Sequence, residues 1–209
     1  MKTDFHHLYL DGDPSLPALL LLHGTGGDER DLVELGQAVS PNSALLSPRG
    51  KVLENGMPRF FRRLSEGVFD LADLALRTNE LADFIGEARK AYAIAQPPIA
   101  LGYSNGANIA ASLLLTRPDA LDGAILLRAM VPYEPQTLPD LTGKNILMLS
   151  GLMDSLVPAD QARRLADLLA RAGAHVDFRL KPAGHGLTQS DHADMRDWAH
   201  KKITAPEAP

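Results

Sequence analysis

The sequence predicts an α/β fold, a mostly parallel central sheet with helices on both faces. Short continuous apolar runs alternate with longer segments of helical periodicity along almost the whole chain. That is the pattern of strands buried on both faces and joined by helical crossovers. The 209 residues suit one domain that buries a substantial core without disulfides. No internal repeat or low-complexity tract interrupts the alternation.

Strands are expected at 5–10, 18–22, 44–47, 99–102, 124–127, 146–150 and 176–180. The first is mixed in polarity and suits a sheet edge, whereas most of the others are unbroken apolar runs. Helices are expected between them. Segment 28–39 opens on Asp28, Glu29 and Asp31, carboxylates that suit a helix N-terminus. Segment 71–92 carries Leu74, Leu81, Phe84, Ile85 and Ala88 on one broad face. Segment 105–116 is apolar nearly all round and belongs at the centre. In 159–172, Leu165, Leu168 and Leu169 recur at helical spacing before Gly173 stops the helix, and 191–201 closes the fold. Residues 48–69, with three glycines and the pair Phe60-Phe61, predict an ordered loop packed over one edge of the site. A single domain over 1–203 and a flexible tail over 204–209 follow.

The composition, 45% hydrophobic and 22% charged, is that of an ordinary globular protein. The net charge is −5, both signs are scattered, and no basic run exceeds two residues, which argues against nucleic-acid binding. Without cysteine there is no disulfide, thiolate nucleophile or Cys-ligated metal. The N-terminus has no apolar leader core, and no stretch approaches a membrane span of about 18 apolar residues. A cytoplasmic protein with no stable membrane insertion is expected.

The strongest local signal is Gly102-Tyr103-Ser104-Asn105-Gly106, a Gly-x-Ser-x-Gly nucleophile elbow. The pentapeptide is common by chance, and a glycine-rich turn with an inert serine is the alternative. Its context is what the motif requires: a short apolar strand before it and an apolar helix after it. The turn also sets Ser104 at a helix N-terminus, where developing negative charge is favoured.

A serine nucleophile needs a histidine base held in one tautomer by a carboxylate, and on this strand–elbow–helix framework the chain order is Ser, Asp or Glu, His. Of seven histidines, His6, His7 and His23 precede Ser104, His175 starts a strand, and His192 and His200 fall in the last helix. His185 remains, flanked by Gly184 and Gly186 in the loop after the final strand. Among the intervening carboxylates, Asp154 follows an apolar strand at the catalytic end of the sheet, with Asp160 as its competitor. For the oxyanion hole, the residue after the nucleophile contributes the N–H of Asn105, and the glycine-rich loop after the second strand offers that of Thr25. His23 is expected to hold that loop. The loop fits neither phosphate-binding glycine pattern, which argues against nucleotides.

Residues 22–29 (Leu22-His23-Gly24-Thr25-Gly26-Gly27-Asp28-Glu29), 102–108 around Ser104, Gly151-Leu152-Met153-Asp154 and Ala183-Gly184-His185 resemble, in family order, the phospholipase/carboxylesterase family of α/β-hydrolases. Ser47-Pro48-Arg49-Gly50 with Gly56-Met57-Pro58-Arg59-Phe60-Phe61 resembles the small bacterial carboxylesterases within it. The resemblance implies an α/β-hydrolase fold without a large lid domain. It also implies a small-molecule ester substrate, no metal or organic cofactor, and a homodimer, as in many members. Phe60, Phe61, Leu152 and Val157 are candidates for an apolar acyl pocket, with core packing the commoner role for each. Arg128 ends an apolar strand and either orients a polar substrate group or pairs with a carboxylate structurally. Lysophospholipase or acyl-protein thioesterase activity is the neighbouring reading. A binding protein on a hydrolase fold is expected to have lost one of Ser104, Asp154 and His185, and a metallohydrolase lacks its His-Glu-x-x-His.

Overall fold

Four successive leucines, Leu19 to Leu22, are fully buried, yet neighbours face opposite ways. Leu20 and Leu22 pack into one core and Leu19 and Leu21 into another. Alternate side chains of an extended chain leave on opposite faces, so such a run stays buried only where both faces are covered.

The computed structural model describes residues 5–204 and shows how this is achieved. The chain runs β1 (His7–Leu10), β2 (Leu19–Leu22), α1 (Val33–Val39), β3 (Leu45–Pro48), β4 (Val52–Glu54), β5 (Met57–Arg59), β6 (Arg63–Ser65) and β7 (Val68–Phe69). It continues α2 (Leu71–Ala91), β8 (Ile99–Tyr103), α3 (Asn105–Thr116), β9 (Gly123–Leu127), β10 (Asn145–Gly151), α4 (Ala159–Arg171), β11 (His175–Lys181) and α5 (Gln189–Ala199). A seven-stranded sheet has the order β1-β3-β2-β8-β9-β10-β11. Only β1 is antiparallel to its neighbour, and it occupies the edge that its mixed polarity suits.

Helices α2, α3 and α4 cover one face, against Leu20, Leu22, Ala100, Ala124, Leu126, Ile146 and Met148. Helices α1 and α5 cover the other, against Leu19, Leu21, Ile99, Leu101, Ile125, Leu127, Leu147 and Leu149. Each fully buried leucine contributes about 1.5–3 kcal/mol relative to an exposed one. Residues 105–115 of α3 are all buried, because the helix lies between the sheet and α2. The matching sheet positions Ala100 and Ala124 are small and admit it closely.

Several boundaries differ from expectation. The first strand starts at His7, and Phe5 instead packs its ring 4.9 Å from that of Phe84. Helix α1 starts at Val33 rather than 28, because the acidic residues read as its N-terminus have other partners. Asp28 accepts the Arg30 N–H in a turn, and Glu29 is buried against Arg49. Helix α5 starts at Gln189, where Thr188 and Asp191 form a capping box, and a π-helical turn, His200–Thr204, follows it. Thr204 thus closes a helical turn, and the rest of the expected tail, 205–209, lies outside the described residues. Segment 48–69 is not a plain loop: it holds two antiparallel hairpins, β4–β5 and β6–β7. No described helix is long and apolar enough to cross a membrane.

Candidate active site

Parallel strands deliver their C-terminal ends to one side of a sheet, and five of the candidate residues stand there. Thr25 follows β2, Ser104 follows β8, Arg128 follows β9, Asp154 follows β10 and His185 follows β11.

Between β8 and α3 the chain turns on a single residue. Ser104 has φ 52° and ψ −111°, a left-handed conformation costing a non-glycine residue roughly 1–3 kcal/mol. Its N–H donates to Leu127 O at 2.9 Å, and its carbonyl accepts from Asn108 N at 2.9 Å. The flanking glycines are steric necessities. A Cβ on Gly102 would lie 2.7 Å from Gly106 O, and one on Gly106 would be driven into the Leu22 carbonyl.

Two hydrogen bonds connect this serine to the other end of the chain. His185 Nε2 lies 3.0 Å from Ser104 Oγ, and His185 Nδ1 lies 2.9 Å from Asp154 Oδ2. An ionised carboxylate only accepts, so in the neutral ring Nδ1 carries the proton and Nε2 is left to accept one from the serine hydroxyl. Asp154 is fixed in turn, with Oδ1 accepting from Leu156 N at 2.9 Å and Val157 N at 3.0 Å. The acid and histidine loops are joined directly: Leu152 N donates to Lys181 O and Met153 N to Ala183 O. Gly151 permits this, since a Cβ there would collide with the Ala183 carbonyl. Asp160, the competing carboxylate, lies exposed in the first turn of α4 beside Gln161.

Arg128 stands apart from the substrate side. It is fully buried at φ 57° and donates to Leu149 O, Gly184 O and Gly186 O and to both oxygens of Asp191. Of its two readings the structure favours the structural pairing: the guanidinium grips the carbonyls on either side of His185. Burial pushes the Asp191 carboxyl up, but Arg128 and Thr188 outweigh it and hold it below the ordinary carboxylate range.

A cavity of about 400 Å³ opens over Ser104 and His185. Val157 lies in its wall with Phe69, Met130 and Leu156, and Thr25 and Asn105 line it beside the serine. Thr25 N–H has no acceptor among the described residues, and the first N–H of α3, that of Asn105, has none within the helix. Phe60 and Phe61 lie elsewhere, in the core. Phe60 N donates to Asn105 Oδ1 at 2.7 Å, and the Phe61 ring meets Phe69 edge-on, so the pair anchors the hairpin segment rather than lining the cavity. Leu152 is 59% exposed on the outer turn and is not part of the wall. His23 has the supporting role expected: Nδ1 bonds Gly24 O at 2.7 Å and Nε2 accepts from Gly50 N at 3.0 Å. Burial holds its imidazole below the ordinary histidine range.

Several polar wall residues escaped the sequence reading, among them Asn108, Arg59 and Arg63. Asn108 had a signal, since it lies one helical turn beyond Ser104. The arginines had none, because their approach depends on how the two hairpins fold back.

The wider comparisons agree with this architecture. A family model described as phospholipase/carboxylesterase matches residues 9–203. The chain is 48% identical over 198 residues to MhqD of Bacillus subtilis, described as a hydrolase, covering 94% of this chain and 98% of that one. A carboxylesterase crystal structure from Bacillus cereus superposes with a TM-score of 0.94 at 45% identity, covering 96% of this chain and 95% of the other. One from Mesorhizobium loti superposes with a TM-score of 0.86 at 32% identity, covering 95% of each. With the mostly parallel sheet, its helical layers and no large lid, these matches establish that the chain belongs to the phospholipase/carboxylesterase family of α/β-hydrolases.

Proposed function

We propose that this member of an ester-hydrolysing family is a serine carboxylesterase acting on short- or medium-chain carboxylic esters through an acyl-Ser104 intermediate. The observation that carries the reading is the double engagement of His185, 3.0 Å from Ser104 Oγ and 2.9 Å from Asp154 Oδ2. Ser104 attacks the ester carbonyl while His185 Nε2 takes its proton, and Asp154 stabilises the resulting imidazolium. The tetrahedral oxyanion is received by the N–H groups of Thr25 and Asn105 at the start of α3. Collapse expels the alkoxide, which takes the proton from His185. Water, deprotonated by the same nitrogen, then attacks the acyl-serine and releases the acid.

The cavity of about 400 Å³ is near the small end of the range for ligand pockets, about 300–1,000 Å³, which supports shorter acyl groups over the long chains of a lysophospholipase or acyl-protein thioesterase. The test is fluorophosphonate labelling with mass spectrometry on wild type and Ser104→Ala, alongside an ester series of increasing acyl length. An adduct on Ser104, lost in the variant, with turnover highest for short or medium acyl groups, is expected. A folded protein that takes no adduct at Ser104 would overturn the mechanism, and a preference for long-chain or thioester substrates would overturn the substrate assignment.

A further inference from the structure

The cavity wall holds more cationic hydrogen-bonding capacity than the protein itself uses. Arg59, 3% exposed, donates Nε to Phe61 O at 3.2 Å and Nη1 to Thr25 Oγ1 at 2.8 Å. Its Nη2 has no protein acceptor among the described residues, yet is not sealed from the cavity. Arg63 donates Nε to Glu54 Oε1 at 2.9 Å, and neither of its terminal nitrogens has a protein partner among the described residues. One carboxylate, Glu54, serves both guanidiniums, with Oε2 3.1 Å from Arg59 Nε. The acid that lines the wall itself, Glu66, sits in the exposed turn between β6 and β7 and makes no ion pair among the described residues. Burial holds the Arg59 guanidinium below its ordinary range, Glu54 opposes this in part, and Arg63 adds to it. An incoming anion would offset that desolvation. Bulk solvent, which suffices for a surface arginine, reaches this one only through the cavity.

We infer that the site selects esters carrying a second, ionised carboxylate, held by the unused edges of Arg59 and Arg63. Planar guanidiniums match carboxylates geometrically, and a polar site left unpaired discriminates more strongly than an apolar pocket does. Arg59 also holds Thr25, whose N–H is assigned to the oxyanion. A carboxylate on Arg59 would therefore lie close to the reacting carbonyl, so the two groups of the substrate are separated by a short chain. Monoesters of short dicarboxylic acids have this form. The inference rests on the esterase reading and names its substrate class.

The test compares kcat/KM for monoethyl glutarate and for ethyl pentanoate, its uncharged counterpart, by acid release. It uses wild type, Arg63→Gln and Arg59→Lys. Wild type is expected to favour the charged ester at least about tenfold, the preference shrinking with added salt. Each variant is expected to lower the charged-to-neutral ratio by roughly ten- to a hundredfold. Arg63 is the more exposed of the two and keeps the test decisive if Arg59→Lys does not fold. A wild-type ratio of one or less, or a ratio unmoved by Arg63→Gln, overturns the inference while leaving the esterase reading intact. If folded protein turns over neither ester, that reading is what fails. Calorimetry with glutarate on wild type and Arg63→Gln then decides the anion site: binding lost in the variant upholds it, and no binding to wild type overturns it.

Discussion

Removing the Arg128 guanidinium tests whether the histidine loop is held by a buried ion pair. In Arg128→Met five hydrogen bonds disappear: those to Leu149 O, Gly184 O and Gly186 O, and two to Asp191. Both ionic partners are fully buried, so Asp191 would keep only Thr188 as a donor in a site that water does not reach. Breaking a buried pair from one side typically costs about 3–5 kcal/mol. For a chain of this size that corresponds to a fall in Tm of roughly 6–20 °C. The expected thermal unfolding, followed by circular dichroism, shows that drop together with lowered ester turnover in the protein that remains folded. Arg128→Met with Asp191→Leu should recover much of the stability, because an apolar pair of similar volume substitutes for a buried ion pair at little cost. It should not recover turnover, because the carbonyls of Gly184 and Gly186 still lack their donor. A single variant losing less than about 1 kcal/mol, or a double variant that regains full turnover, would refute this account of how His185 is positioned.

Three further outcomes follow from the site and its supports. Asp154→Asn keeps an acceptor for the Leu156 and Val157 N–H groups but presents an amide donor to His185. The ring then adopts the wrong tautomer, and kcat should fall about 10⁴-fold with little change in Tm, as read by paired kinetics and calorimetry. Gly106→Ala drives a methyl into the backbone of Leu22, which cannot yield as a side chain could. A loss of at least about 1–3 kcal/mol in urea denaturation is expected. Hydrogen bonding from Arg49 holds the Glu29 carboxyl at about 2, below its ordinary 4.5. Because the folded value is the lower one, this stabilisation is complete above the unfolded value and is lost as pH falls from about 4.5 towards 2. It amounts to no more than about 3 kcal/mol, and Glu29→Gln should flatten that limb of the stability profile.

Much of this protein is legible without coordinates because its rules are local. Leu19 to Leu22, and the runs at Ile125 and Leu147, announce doubly covered strands because side-chain alternation along a strand is a property of the chain itself. Gly102 and Gly106 announce the elbow because the collisions they avoid lie within the strand–turn–helix unit and against its neighbouring strand. Chain order then places Asp154 and His185 on neighbouring loops, since parallel strands end on one side. One local signal went unread: Asn55-Gly56, with φ values of 52° and 80°, is the two-residue turn that joins β4 to β5.

What only the tertiary structure decided involves partners distant in sequence. Arg128 looks like a residue at the mouth of the site until Asp191, 63 residues away, is found against it. Phe60 and Phe61 look like pocket residues until Asn105 is seen holding the Phe60 amide and the core closing round both rings. Arg59 and Arg63 come to the cavity on a hairpin segment that Asn105 anchors through the Phe60 amide. A side chain's apolarity or charge states what it needs, whereas which distant group meets that need is settled only when the sheet assembles.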